Sequence, residues 1–150
     1  MAYPVCVDAS IIIKWIIPEG DSDKAFDLFS YLVDTGAIFI EPVLVLYEVP
    51  SAIRRKVAKG QLSKEEAEEA FAKFQFLAAR MSISAEDRRG VQSAWAIASR
   101  HRLSRIYDSV YLALAGELGA DCWTADSRFH SLLSSAFPCL RLLSEFHPAA

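Results

Sequence analysis

"YPVCVDASIIIKWI" (residues 3–16) decides the fold. Val5 and Val7 alternate in the manner of a half-buried strand, and Ile11, Ile12, Ile13, Trp15 and Ile16 follow in a helix starting near Ser10 and stopped by Pro18 and Gly20. A strand that passes directly into a helix begins a crossover connection, not a hairpin. Asp8 stands at the junction, one acid between two apolar runs. A carboxylate taken out of water without partners costs several kcal/mol or takes up a proton. The position therefore demands a partner.

The rest of the chain repeats this alternation. A helix capped by Asp21 or Ser22 runs to about Val33, and "AIFI" (37–40) is a short strand. Pro42 suits a first helical position, and that helix runs to Lys59 with Pro50 inside it, where a kink is expected near Leu46 or Tyr47. Ser63 and Glu66 have capping-box spacing for a helix whose apolar stripe is Ala67, Ala70, Phe71, Phe74, Ala78 and Met81, with Phe76 off the stripe. "MSIS" (81–84) reads as a strand, and Glu86 to His101 as a helix with Val91, Ala94, Trp95 and Ala98 inward. Residues 108–118 are apolar nearly all round, as in a central helix. "ADCWT" (120–124), a short helix from Ser127 to Leu133 and the strand "CLRLL" (139–143) complete the pattern. Short strands alternating with helices imply a three-layer α/β/α fold around a parallel sheet. Without an internal repeat, low-complexity segment or linker, residues 1–150 read as a single domain.

Composition narrows the class. The 150 residues are 53% hydrophobic and 23% charged, which excludes disorder, and the longest apolar runs fall far short of a bilayer span. Met1-Ala2-Tyr3-Pro4 shows no basic region before an apolar core, so no secretory signal and no membrane partner are expected. Cys6, Cys122 and Cys139, an odd number without a C-x-x-C pair, read as reduced thiols of a cytoplasmic protein. A net charge of −3 excludes a generic basic coat for nucleic acid. Two basic clusters stand out, Arg54, Arg55, Lys56 and Lys59, and Arg100, His101, Arg102 and Arg105. Each is either a solvated helix end or a set of phosphate contacts.

Acids fall where such a sheet binds ligands, outside the carboxyl ends of its strands. Asp8 follows the first strand directly and Asp126 follows "DCWT". Asp108 opens the apolar helix, either as its N-cap or as part of a site. Glu48, the single charge between Glu41 and Arg54, either reaches the surface or lines a polar site. Four isolated acids beside apolar elements suggest one cluster, which needs a counter-charge. Oxygen donors without neighbouring His or Cys clusters suit Mg²⁺ or Mn²⁺ and not zinc. Such an ion supports phosphodiester hydrolysis.

On the segments "VDASIIIKWIIPE" (7–19), "EPVLVLYEVPSAIRR" (41–55) and "YDSVYLALAGELGADCWTADSRF" (107–129), the sequence resembles the PIN-domain ribonucleases, in particular VapC-type toxins of toxin–antitoxin pairs. Order and spacing match through nearly the whole chain. The resemblance implies a PIN-like fold and an acidic quartet of Asp8, Glu48, Asp108 and Asp126 that is catalytic and holds Mg²⁺ or Mn²⁺. Ser10 and Thr124 would support it, although Ser10 also suits a helix cap and Thr124 a strand end. It implies endonucleolytic cleavage of RNA by a metal-activated water, a homodimer, and a small antitoxin blocking the acidic groove. Arg54, Arg55 and Lys56 become candidates for the RNA backbone, and Phe76 with helix 64–80 a candidate antitoxin or dimer surface. One departure concerns Glu48: the family usually carries a polar residue shortly after the second acid, where this chain has Pro50 and Ser51. A kink there would shift Glu48, the least secure ligand of the four.

Rival readings are weaker. A haloacid-dehalogenase-type phosphotransferase wants an acid where Ser10 stands, and a receiver domain wants paired acids at the first strand and a lysine after the last. An RNase-H-type nuclease begins with an antiparallel meander, and a dinucleotide site needs a glycine-rich loop after the first strand. The serious alternative is a PIN-like module that binds RNA or protein without cleaving.

Overall fold

Strand β1 (Tyr3–Val7) passes into helix α1 (Ala9–Ile16) with Asp8 between them. The computed structural model describes residues 1–85 and 88–149. Along the chain follow α2 (Ser22–Asp34), β2 (Ala37–Pro42), α3 (Val45–Ala58), α4 (Lys64–Ala78) and β3 (Ser82–Ser84). Next come α5 (Arg88–Arg100), α6 (Tyr107–Leu118), β4 (Asp121–Thr124), α7 (Ser127–Leu133) and β5 (Leu140–Leu142), with a 3-10 turn at Leu143–Glu145. The described strands form one parallel sheet in the order β3-β2-β1-β4-β5.

Helices cover both faces of this sheet. Helix α6 packs across β1, β2 and β4 and carries α5; α1 and α2 pack against β4 and β2, with α3 and α4 joined to α1. This is the expected three-layer α/β/α architecture. Its centre is closed on both sides, because Val5, Cys6 and Val7 are all buried. The half-buried alternation read from Val5 and Val7 therefore fails, since a central parallel strand has no solvent face. Cys6 acts there as a small apolar side chain and is the register partner of Cys122; all three cysteines are free thiols. On α1, Ile11 and Ile12 are wholly buried, and each such side chain contributes about 1.5–3 kcal/mol. Trp15 locks the same helix by donating its indole N–H to the Ala25 carbonyl at 2.8 Å. Asp8 is thus fixed from both ends.

Several expectations need correction. Pro42 is the last residue of β2, in register with Ser84, and does not start a helix; a strand end tolerates its missing N–H. Helix α3 begins three residues later and continues through Pro50. On α5 only Ala94 and Ala98 are buried, while Val91 and Trp95 (67% exposed) face outward. That helix is an outer element lying on α6, and its inward contacts come from Ala94, Ala98 and the partly buried Ile97. The predicted start at Glu86 lies outside the described residues. Helix α6 is central, but Leu118 at its end is exposed. The capping box at Ser63 and Glu66 forms as expected, with bonds of 2.7 and 3.1 Å. Phe76 is exposed, and the Arg80 guanidinium lies 3.4 Å from its ring centre. No described helix is long and apolar enough to cross a membrane.

Candidate active site

In the order β3-β2-β1-β4-β5 the connections diverge between β1 and β4, where an open parallel sheet forms a crevice at its carboxyl edge. Asp8 leaves β1 at that point. Its amide donates to the Trp123 carbonyl at 3.0 Å, so the β1–β4 ladder holds its backbone. Its carboxylate caps α1: Oδ1 accepts from the Ser10 amide at 3.0 Å and from the Ser10 hydroxyl. The hydroxyl oxygen in turn accepts from the Ala125 amide at 2.9 Å. Ser10 therefore does not cap the helix itself; it ties Asp8 to the loop that carries the next acid.

That acid, Asp126, caps α7 by accepting from the Phe129 amide at 3.0 Å, and its own amide donates to the buried Thr124 hydroxyl at 3.1 Å. Asp108 is different. The cap position of α6 is Ile106, so Asp108 lies inside the first turn and the capping alternative does not apply. Its charge there suits the positive end of the helix. Glu48 occupies the first turn of α3, and its Oε2 is buried with no hydrogen-bond partner. This is the polar-site alternative, not a side chain reaching for water. Asp8, Glu48, Asp108 and Asp126 line one cleft, together with Ser10, Arg55, Lys14 and Glu19.

Three of the cleft's acids, Asp8, Glu48 and Asp108, are raised above the ordinary carboxylate range. Burial, reinforced by Asp108, raises Asp8 to about 6, against the pull of the Ser10 and Thr124 hydroxyls. Glu48 is raised to about 7 by burial and by the charges of Asp108 and Asp8, with Arg55 and Arg105 opposing. Asp108 is raised by burial and by Asp126, again opposed by Arg105. Under the cleft lies a second polar layer. Glu41, wholly buried, accepts from the Val7 amide at 2.8 Å and the Cys6 thiol at 3.6 Å, and burial pushes its carboxyl well up. The Tyr111 hydroxyl is also buried without a partner.

The basic residues separate. Arg55 faces the cleft, whereas Arg54 lines a different groove with Ile53 and Phe71. Lys56 is bound to Glu19 at 2.9 Å, and Lys14 holds Glu19 and Asp21 at 2.7 Å each, a network tying α3 to the segment after α1. Arg105, from the second cluster, lies beside Glu48 and Asp108. Sequence reasoning overlooked Glu41 except as a boundary, and overlooked Lys14, Glu19 and the tyrosines Tyr47 and Tyr107. The signal for Glu41 was present, an acid inside "AIFIEPVLVL"; its burial depended on β2 extending through Pro42.

A hard divalent cation fits this donor set. The cleft offers only carboxylate and hydroxyl oxygens as ligands, and the unpartnered Glu48 Oε2 is a buried acceptor awaiting a positive partner. Among the described residues no three donors converge on one point. The fit is thus to an ion that takes one or two carboxylates directly and keeps water in its remaining positions, as Mg²⁺ does.

The fold has close relatives in shape. The chain resembles VapBC2 from Rickettsia felis, a structure described as bound to a promoter DNA fragment (TM-score 0.64, 16% identity, 95% of this chain and 97% of that one). It resembles equally a toxin–antitoxin complex from Klebsiella pneumoniae (TM-score 0.64, 13% identity, 95% and 99%). VapC20 from Mycobacterium tuberculosis, described as a sarcin–ricin loop cleaving toxin, matches with a TM-score of 0.62 at 17% identity over 85% and 93%. At these identities the likeness is one of fold. Comparison with curated proteins gives no significant sequence match. The family model of the PIN domain matches residues 5–132, from the central strand through α7 and across every element that carries an acid of the cleft, and the chain belongs to the PIN domain family.

Proposed function

We propose that this chain, as a single nuclease domain over residues 1–150, is an Mg²⁺- or Mn²⁺-dependent endoribonuclease acting as the VapC-type toxin of a toxin–antitoxin pair. The observation that carries the reading is the meeting of Asp8, Glu48, Asp108 and Asp126, from four separate segments, in one cleft at the switch point of the sheet. Asp8, Asp108 and, directly or through water, Glu48 and Asp126 would hold the ion. A bound divalent cation supplies charge neutralisation of phosphoryl oxygens and activation of water.

The chain's own groups prepare that chemistry. Ser10 orients Asp8 from both its amide and its hydroxyl. Thr124 positions the backbone that delivers Asp126. Without the ion Asp8 is raised to about 6 and Glu48 to about 7, so both give up their protons on reaching neutral pH and can then take a cation as carboxylates. Arg55 and Arg105 stand where a phosphodiester would approach, and balance its charge. One of the structures similar in fold is described as a toxin–antitoxin complex, which supports a small antitoxin as partner. The same reading carries a homodimer and a cytoplasmic setting.

The test is cleavage of a mixed RNA pool by the purified chain with Mg²⁺ or Mn²⁺, with EDTA, and as Asp8→Asn. Cleavage is expected only with metal and only in the parent. Full activity in EDTA overturns the metal-dependent reading. RNA binding without cleavage in any metal assigns the chain to the non-cleaving modules.

A further inference from the structure

Tyr47 and Tyr107 each precede an acid of the cleft by one residue, Glu48 and Asp108. Both stand in the first turn of their helices, and both are exposed, Tyr47 by 70% and Tyr107 by 49%. They line one groove of about 400 Å³ that opens beside the acids and shares Glu48, Asp108 and Arg55 with them; Arg105 completes its rim. A single exposed aromatic needs no explanation. Two lining one groove together with Arg55 and Arg105 form a composite of π-faces and positive charge.

That composite matches a nucleotide better than an apolar protein segment. A phosphate meets Arg55 and Arg105, and a base presents a flat face that any tyrosine ring can stack on. A protein face covering the groove would bury the two arginines beside the two acids, with desolvation to offset. In an A-form duplex the bases are stacked inward and paired, so their faces are closed to a side chain; only unpaired nucleotides offer them.

We propose that Tyr47 and Tyr107 form a nucleobase subsite adjoining the acid cleft, so that the chain engages RNA whose residues next to the phosphate in the cleft are unpaired. The inference rests on the nuclease reading for what happens at that phosphate, but binding can be measured apart from cleavage. A fluorescently labelled single-stranded octanucleotide and a blunt duplex of the same sequence are titrated with protein in EDTA at low ionic strength. The proteins are the parent, Tyr47→Ala, Tyr107→Ala and the two Phe variants, each checked for an unchanged melting temperature. Each Ala variant should bind the single strand about 5- to 100-fold more weakly, the range for loss of one base–aromatic stack. Each Phe variant should stay within about 2-fold of the parent, because stacking uses the ring. The duplex should bind more weakly than the single strand and be indifferent to all four substitutions. Ala variants that bind the single strand like the parent overturn the proposal and leave the tyrosines to a protein partner. A duplex bound as tightly as the single strand overturns it as well. Weakened Ala variants in a protein that cleaves no RNA with Mg²⁺ or Mn²⁺ uphold the subsite and refute the nuclease reading alone.

Discussion

Replacing Asp8 by Asn in the metal-free protein is the sharpest test of whether this acid is strained for function. Asn is as good a helix cap as Asp, and its side-chain oxygen can still accept from the Ser10 amide, so the local backbone keeps its bond. What disappears is a charge buried to 2% exposure beside Asp108. The folded-state carboxyl is raised from 3.8 to about 6, and at about 1.4 kcal/mol per pH unit this amounts to about 3 kcal/mol of destabilisation once the group is ionised. Relaxation of the amide and of coupled neighbours reduces that to about 1–2 kcal/mol. The sign follows from proton binding. Between about pH 4 and pH 6 the folded state holds a proton on Asp8 that the unfolded chain releases, so parent stability falls as pH rises through that window. Below it both states are protonated and the parent and the variant should melt together. Above it the variant should melt about 2–8 °C higher, given about 2–4 °C per kcal/mol for a domain of this size. Thermal melts in EDTA from pH 4 to pH 8 measure this, and added Mg²⁺ should then raise the parent more than the variant. A variant that melts lower at pH 8, or a difference that ignores pH, refutes the reasoning and returns Asp8 to a purely capping role.

Metal affinity should also depend on pH. Because Asp8 and Glu48 give up their protons at about 6 and about 7, Mg²⁺ binding measured by calorimetry should strengthen from pH 5.5 to pH 8 and release protons as it does so; a flat profile argues that neither acid is a ligand. Arg55→Ala should weaken RNA binding and lower the salt slope by about one phosphate contact, while Arg54→Ala, in the other groove, leaves both unchanged. Equal effects of the two would put the RNA path elsewhere. Pro50 denies the Leu46 carbonyl its helical donor, so Pro50→Ala should stabilise the chain by about 1–2 kcal/mol in denaturant melts; an unchanged or lowered midpoint refutes this.

Much of this molecule was determined locally. The β1–Asp8–α1 junction, the capping box at Ser63 and the alternation of strands and helices depend on neighbours a few residues apart, and the sequence alone decides such features. The four acids were visible for the same reason: a charge inside an apolar run is conspicuous whatever surrounds it. Other features belonged to contacts distant in sequence. Whether Asp108 caps its helix or faces a cleft depended on where α6 starts, and the cap is Ile106, so that two residues of register moved Asp108 from cap to site. Trp95 and Val91 could not be told from core residues by periodicity, since α5 packs mainly on α6 and the side that carries them is exposed. Arg54 and Arg55 are adjacent in the chain, yet about 100° of helix separates them, and only the packing of α3 against α1 and α4 decides which reaches the acids. Glu41 went unread because its burial follows from two extra residues of β2 pairing with β3. Periodicity tells which residues share a face; only the tertiary structure says what that face meets.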